Sequence, residues 1–334
     1  MDASHNPNQE EQTWAFPLAL LQVTGPEVRP FLQNLLTADL RPLAPAEEIL
    51  QAVPAAFLNP QGRALFVTVV VLTSQQQAWL VVPEIMRAET SRLLSRYILR
   101  TKVRLVSWQG TLGLQEPLAT RPPPWQGFIR QTSAGEQYSL AWPNGWMLHW
   151  MSRPEDPAHP LPAPPSSWAA FHNQEIETGM PWILPGTSGL FLPQMLNLEQ
   201  QGGLSMEKGC YPGQEIVARV HFRGQVKRHL YHGTAAQWLE PGTPLYSAAT
   251  PLEQRTSHAP GHVLRMAPQG QGWKALLVAE APGSYQSAAG VAVTIDAAVD
   301  QRQRMATSHH TNLQSPSPAT SPATDTPSSD HHPA

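Results

Sequence analysis

Apolar positions between residues 16 and 106 switch repeatedly between two spacings, and the switches describe a mixed α+β chain. Residues 16–23 are almost continuously apolar and predict a strand. Thr24-Gly25-Pro26 then reads as a helix start with proline near the first position, and Val28, Phe31, Leu32, Leu35 and Leu36 share one face of a helix over residues 27–36. Ala55-Ala56-Phe57-Leu58 and the β-branched run 64–72 predict a hairpin, because Asn59-Pro60-Gln61-Gly62-Arg63 between them carries the proline and glycine of a tight turn. A strand over 79–82 follows. An amphipathic helix over 84–99 turns Met86, Leu93, Leu94, Tyr97 and Ile98 inward, and a strand over 102–106 closes this part of the chain.

Further along, short apolar runs near 127–131, 138–142 and 146–151 predict strands, and Arg153-Pro154 opens a proline-rich, extended linker to Pro165. A helix is expected over 167–177, stopped at Gly179, and another over 214–222, ended by Gly224. Strand patterns around 228–234, 262–266, 273–278 and 291–295, with turn residues between them, predict a small β-barrel or sandwich. Residues 1–13 read as a flexible arm, and 301–334 are rich in Ser, Thr, Pro, Ala and His, too poor in large apolar residues to offset the entropy of ordering. His309-His310 and His331-His332 in that tail lack a third fixed ligand, so no metal site is expected. The chain thus divides into the arm, a body over 14–225 subdivided near 108, a barrel over 226–300 and the tail.

Charge narrows the function classes. At 334 residues with a net charge of −3, the chain offers no global positive field, so neither direct nucleic-acid binding nor a membrane surface is expected. The longest apolar run is too short to span a bilayer. The opening residues are polar and acidic, which fits no secretory or transit signal, and with one cysteine a reducing cytoplasm is the expected compartment.

That one cysteine sits in Lys208-Gly209-Cys210-Tyr211-Pro212-Gly213-Gln214-Glu215, a polar, glycine-flanked stretch unlike a core setting. A lone thiol forms no internal disulfide and supplies at most one ligand of a cluster or structural zinc. Only four lysines occur, and Lys208 and Lys227 bracket this region together with Arg219, Arg223 and Arg228. If Gly213 opens the helix over 214–222, Cys210 lies just ahead of its positive end with Lys208, Arg219 and Arg223 nearby, an environment that favours a thiolate.

Phe191-Leu192-Pro193-Gln194-Met195-Leu196-Asn197-Leu198, Gly202-Gly203-Leu204-Ser205, the run from Lys208 to Arg219, and Phe222-Arg223-Gly224 with Lys227-Arg228 closely resemble the signature of the YgfZ family of folate-binding proteins. That family is related to the aminomethyltransferase (T-protein) of the glycine cleavage system. The stretch from Phe31 to Leu40, Pro60-Gln61-Gly62-Arg63 and Ile176-Glu177-Thr178-Gly179-Met180-Pro181 look similar to both.

The resemblance implies an aminomethyltransferase-like body of two pseudo-symmetric α+β parts around a central folate site, followed by a small β-barrel. It implies tetrahydrofolate as cofactor, and iron-sulfur enzymes or cluster-assembly proteins as partners, including enzymes that thiolate tRNA. Glu177 is the implied pterin acceptor, since an ionised carboxylate takes two parallel N–H donors. Phe171 stands where the family places a tryptophan folate contact, with Trp168 one helical turn earlier. Lys208, Tyr211, Gln214, Arg219 and Arg223 are further candidates for the pocket, and Cys210 for a functional thiol. The T-protein carries a carboxylate after its first hairpin, where this chain has the apolar run 64–72; Asp39 in Thr37-Ala38-Asp39-Leu40 reads instead as local turn structure. An accessory factor is therefore expected ahead of the alternative, a folate-dependent one-carbon transferase or demethylase.

Overall fold

A computed structural model describes residues 16–44, 48–110, 112–117, 122–133, 135–153, 168–251, 255 and 259–299. The first nine strands are β1 (Leu18–Thr24), β2 (Ile49–Leu58), β3 (Ala64–Ser74), β4 (Gln77–Pro83), β5 (Arg104–Ser107), β6 (Gly113–Gln115), β7 (Gln126–Thr132), β8 (Gly135–Ala141) and β9 (Met147–Met151). They form one sheet in the order β5-β1-β4-β3-β2-β7-β8-β9-β6. The two expected α+β parts therefore share a single sheet, joined where β2 pairs with β7 through Ile49↔Phe128 and Leu50↔Gly127.

The apolar run 64–72 becomes β3 because both faces of the sheet are covered. Val67, Val69 and Val71 enter one core, while Phe66, Val70 and Leu72 enter the other, the period of two that a pleated strand imposes. The second core is closed by α1 (Val28–Leu35) and α2 (Glu84–Ser95), through Val28, Phe31, Leu32 and Leu35 from one and Met86, Leu93 and Leu94 from the other. Here the structure corrects the expected helix over 84–99. The α-helix ends at Ser95, a 3-10 turn covers Ile98–Arg100, and Tyr97 is left 45% exposed, its ring edge-on to Phe57.

The first core is rich in aromatics, with Trp79, Trp142, Trp146, Trp150 and Trp182 all essentially without solvent contact. It is closed by α3 (Ala169–Thr178), by the segment up to α4 (Gln214–Arg223), and by the outer wall of the barrel. The barrel is closed, in the order β10 (His229–Ala235), β13 (Gly272–Ala279), β12 (Gly261–Gln269), β11 (Pro244–Ser247), β14 (Gly283–Ser287), β15 (Ala292–Ala298). Tyr231, Leu245, Val263, Leu277 and Ile295 fill its interior, while Leu230, Leu264, Leu276 and Val278 point outward into the aromatic core of the body. Barrel and body thus share apolar packing. The arm 1–13, the linker 154–165 and the tail 301–334 lie outside the described residues, as do the paired histidines.

Candidate functional site

Cys210 is exposed, on a loop held at both ends. Lys208 and Tyr211 are buried, Gly209 and Cys210 are not, and a Cβ built on Gly209 meets nothing within 4 Å. Lys208 donates from Nζ to the carbonyls of Leu36 at 2.5 Å and Ala38 at 2.8 Å, and the ammonium lies 5.2 Å from the Tyr211 ring centroid. Those carbonyls follow α1, whose last turn carries no basic residue of its own, so Lys208 supplies the cation that a helix C-terminus favours. This corrects the expectation that Lys208 serves the thiol: its ammonium is turned into the body. Burial pushes it down to about 8, against a smaller opposing pull from Asp39.

Segments far apart in sequence converge on this loop. Thr37, just beyond α1, donates from Oγ1 to the Gly203 carbonyl at 2.6 Å and accepts from the Ala56 N–H at 2.8 Å. Gly213 caps α4 with φ 77°, and a Cβ there would come within 2.4 Å of the Asn59 carbonyl in the turn between β2 and β3. The Gln214 Oε1 accepts from the Tyr211 N–H at 3.3 Å, closing the loop onto the first turn of α4. Burial pushes the Tyr211 hydroxyl up to about 12, and among the described residues it has no hydrogen-bond partner. Asp39 makes the expected local turn, accepting from Gln33 Nε2 and from the N–H and guanidinium of Arg41. Those Arg41 bonds outweigh its slight burial and hold its carboxyl well below the usual range. Arg219 and Arg223 are both exposed on the outer side of α4.

The pterin candidates lie in and after α3. Gly179 ends the helix in the left-handed conformation, its N–H reaching the carbonyls of Glu175 and Ile176. Glu177 is half exposed, and its Oε1 accepts from Lys274 Nζ of β13 at 2.6 Å. Trp168 is partly buried and stacked on His172 at 6.0 Å. Phe171 is corrected from a stacking surface to a core residue: it has no accessible area and is packed against Trp142, Trp146 and Trp168.

Beneath them is a cluster that the sequence did not announce. The Glu175 carboxylate is fully buried and accepts from the indole N–H groups of Trp142 and Trp182, each at 3.0 Å, and from the Arg265 guanidinium at 3.2 Å. Burial alone would raise Glu175, but Arg265 and His172 together outweigh it and hold the carboxyl low. His172 Nε2 faces the Phe16 carbonyl at 2.5 Å and so carries a proton, while Nδ1 lies 2.8 Å from Arg265 Nη2. Nδ1 also lies 2.6 Å from Glu175 Oε2, and burial pushes His172 down against the opposing pull of that carboxylate. Arg265 reaches this place through a bulge in β12 between Val263 and Arg265, which lets Leu264 and Arg265 both leave the barrel interior. His172 and Glu175 stand three apart on α3, a visible pairing, but Arg265 lies 90 residues away and nothing local marks it.

Beside the C-terminal end of α4 opens a cleft of about 460 Å³, lined by Gln194, Asn197, Glu199, His221, Gln225 and His229 among others. Gln194 is buried and donates from Nε2 to the Val217 carbonyl, leaving its Oε1 without a partner among the described residues. His221 Nδ1 and Glu199 Oε1 are 3.6 Å apart. No group of three or more metal-ligating side chains occurs among the described residues, and none of their helices is long and apolar enough to cross a membrane.

No family model matches the chain. Among curated proteins, the tRNA-modifying protein YgfZ of Klebsiella pneumoniae strain 342 is 30% identical over 249 residues, covering 68% of this chain and 73% of that protein. The protein of the same name from Edwardsiella ictaluri strain 93-146 is 30% identical over 227 residues, covering 63% and 67%. That of Escherichia coli O45:K1 is 48% identical over 80 residues. Among solved structures, the glycine cleavage system aminomethyltransferase T of Bartonella henselae superposes with a TM-score of 0.61 at 14% identity, covering 85% of this chain and 84% of that one. At that identity the likeness is one of fold, and the aminomethyltransferase-like fold expected from the sequence is the one found.

Proposed function

The chain belongs to the YgfZ family, and from that premise we propose that it binds tetrahydrofolate and supports assembly or repair of iron-sulfur clusters in client enzymes, tRNA-modifying enzymes among them. The observation that carries this reading is the exposed Cys210, presented between the buried anchors Lys208 and Tyr211. A chain with one cysteine offers a single sulfur ligand, so the cluster or sulfur species belongs to the partner and Cys210 is a contact point. A free, exposed thiol suits a reducing cytoplasm.

Tetrahydrofolate enters through the resemblance to the T-protein, and the aminomethyltransferase-like fold supports it. Glu177 remains the proposed pterin acceptor. Its half-exposed carboxylate is held by Lys274, and the paired N–H donors of a pterin would compete for it in the charge-assisted, bidentate geometry that carboxylates favour. Trp168 is partly exposed at the opposite end of α3, nine residues or about 14 Å of helix rise from Glu177, so the ring held by Glu177 does not also stack on it. An accessory role is preferred over one-carbon transfer because β3 presents no carboxylate where the transferase reading needs one.

The test is an anaerobic titration of the purified protein with tetrahydrofolate, repeated on Glu177→Ala and Cys210→Ala, together with complementation of a bacterium lacking its own YgfZ, scored by thiolated tRNA. Wild type should bind and complement. Glu177→Ala should lose folate affinity, and Cys210→Ala should keep it while failing to complement. Absence of folate binding by wild type, or full complementation by Cys210→Ala, overturns the corresponding half of the reading.

A further inference from the structure

We propose that the solvent face of α4 is a docking surface for an acidic protein partner, with Phe222 as its apolar anchor. The inference rests on the function proposed above and deepens it, by saying where a client enzyme is held while it meets Cys210.

Of the ten residues of α4 only Val217 is buried, so the helix lies on the body by one edge. Glu215, Arg219 and Phe222 are spaced four and three apart, which puts them in one stripe along the opposite edge, with Arg223 beside it. All four are exposed. Phe222 is 70% exposed, its ring held edge-on to His221 at 4.8 Å. A phenylalanine so placed contributes little to the core, whereas aromatic and arginine side chains are the residues that concentrate binding energy in protein interfaces.

The charges select the partner. Arg219, Arg223 and Lys227 are exposed, and none of them forms an ion pair among the described residues. Glu215 is the only acid on the helix. This local excess of positive charge sits on a chain whose net charge is −3, so the field is a small basic rim around an aromatic knob, without the breadth that nucleic acid requires. An apolar pocket bordered by Asp and Glu is its complement. Immediately beside the knob, the cleft lined by His221, Gln194 and Glu199 offers a socket for a side chain of the same partner. From Gln214 to Phe222 the helix rises about 12 Å, so one interface of ordinary size covers both the Cys210 loop and the anchor.

The test compares wild type with Phe222→Ala and Lys227→Glu in binding to a purified iron-sulfur tRNA-thiolating enzyme, and in the same complementation. Both variants should keep the melting temperature and folate affinity of wild type. Each should weaken enzyme binding by about tenfold and lower thiolated tRNA, and Lys227→Glu should reduce the salt dependence of binding. Variants that bind and complement like wild type, while Cys210→Ala does not complement, overturn the docking surface and leave the proposed function standing. Failure of wild type itself to complement overturns that function, and this inference with it. Binding of tRNA alone that both variants abolish replaces the protein partner by a nucleic acid.

Discussion

Arg265 of the barrel and Glu175 of α3 meet at 3.2 Å with neither side chain open to water. The pair ties the barrel to the body at the point where Trp142, Trp182 and His172 also converge on the carboxylate. A buried ion pair of this kind adds little net stability over an apolar equivalent, but removing one partner strands a charge. Arg265→Met should therefore destabilise the protein by about 3–5 kcal/mol. The double variant Glu175→Gln, Arg265→Met should lose less than the sum of the two single changes, because the stranded charge is gone. Denaturant unfolding of the four proteins measures this, and a loss below about 1 kcal/mol for Arg265→Met would show that water reaches the site.

Acid should unfold the protein through the buried His149 and the partly buried His262. His149 accepts from Ser139 Oγ at Nδ1 and donates from Nε2 to Gln115 Oε1, a neutral ring with both nitrogens satisfied, and burial pushes it down to about 4. His262 is pushed to the same value by burial and by Arg228. The unfolded chain takes up these protons near the ordinary 6.5, so between about 4 and 6.5 it binds more protons than the folded protein. Stability contributed by the neutral rings is complete above pH 6.5 and is lost as pH falls towards 4. Thermal melts across that range should show the decline, and His149→Gln should flatten it. An unchanged profile in the variant would place the acid sensitivity elsewhere.

The sequence made the local elements legible where side-chain spacing decides them. The continuous apolar run of β3, the one-sided face of α1 and the glycine stop of α3 were each readable, because each depends on residues a few positions apart. β6, β11 and β14 were not. They are three to five residues long, too short for a period of two to show, and are held by neighbours that approach only in the folded chain. The same limit applied to the site. The run around Cys210 and the turn at residues 59–63 were recognisable as motifs, but that Lys208 would turn inward to α1, or that Phe171 would be sealed by three tryptophans, depends on contacts between distant segments.

Gly213 joins two of those motifs sterically. Its φ of 77° already disfavours a side chain, and an added Cβ would press on the Asn59 carbonyl at 2.4 Å and on Gly62 Cα at 2.9 Å. The obstructing atoms are all backbone of the turn, so no side-chain rotation relieves the clash. Gly213→Ala should cost on the order of 2 kcal/mol or more and should shift the start of α4 relative to the turn after β2. Gly209→Ala, in open space and in the same loop, should be nearly neutral. Melting temperatures of the two variants give the comparison, and equal losses would mean the loop is far more yielding than its contacts imply.

Lys208 separates a structural from a chemical role for the residue two positions before the thiol. Its ammonium satisfies the carbonyls of Leu36 and Ala38, both of which Lys208→Met would leave buried without a donor. That change should destabilise by about 2 kcal/mol. Because burial lowers Lys208 to about 8 from 10.5, the folded protein releases this proton first. Between those values the unfolded chain binds more protons, so wild-type stability gains a rising contribution with pH that the methionine variant lacks. Cys210 is exposed and Lys208 turned away, so the rate of Cys210 alkylation in the native state should be unchanged in Lys208→Met. A marked fall in that rate, with the fold intact by circular dichroism, would return Lys208 to the thiol's own environment.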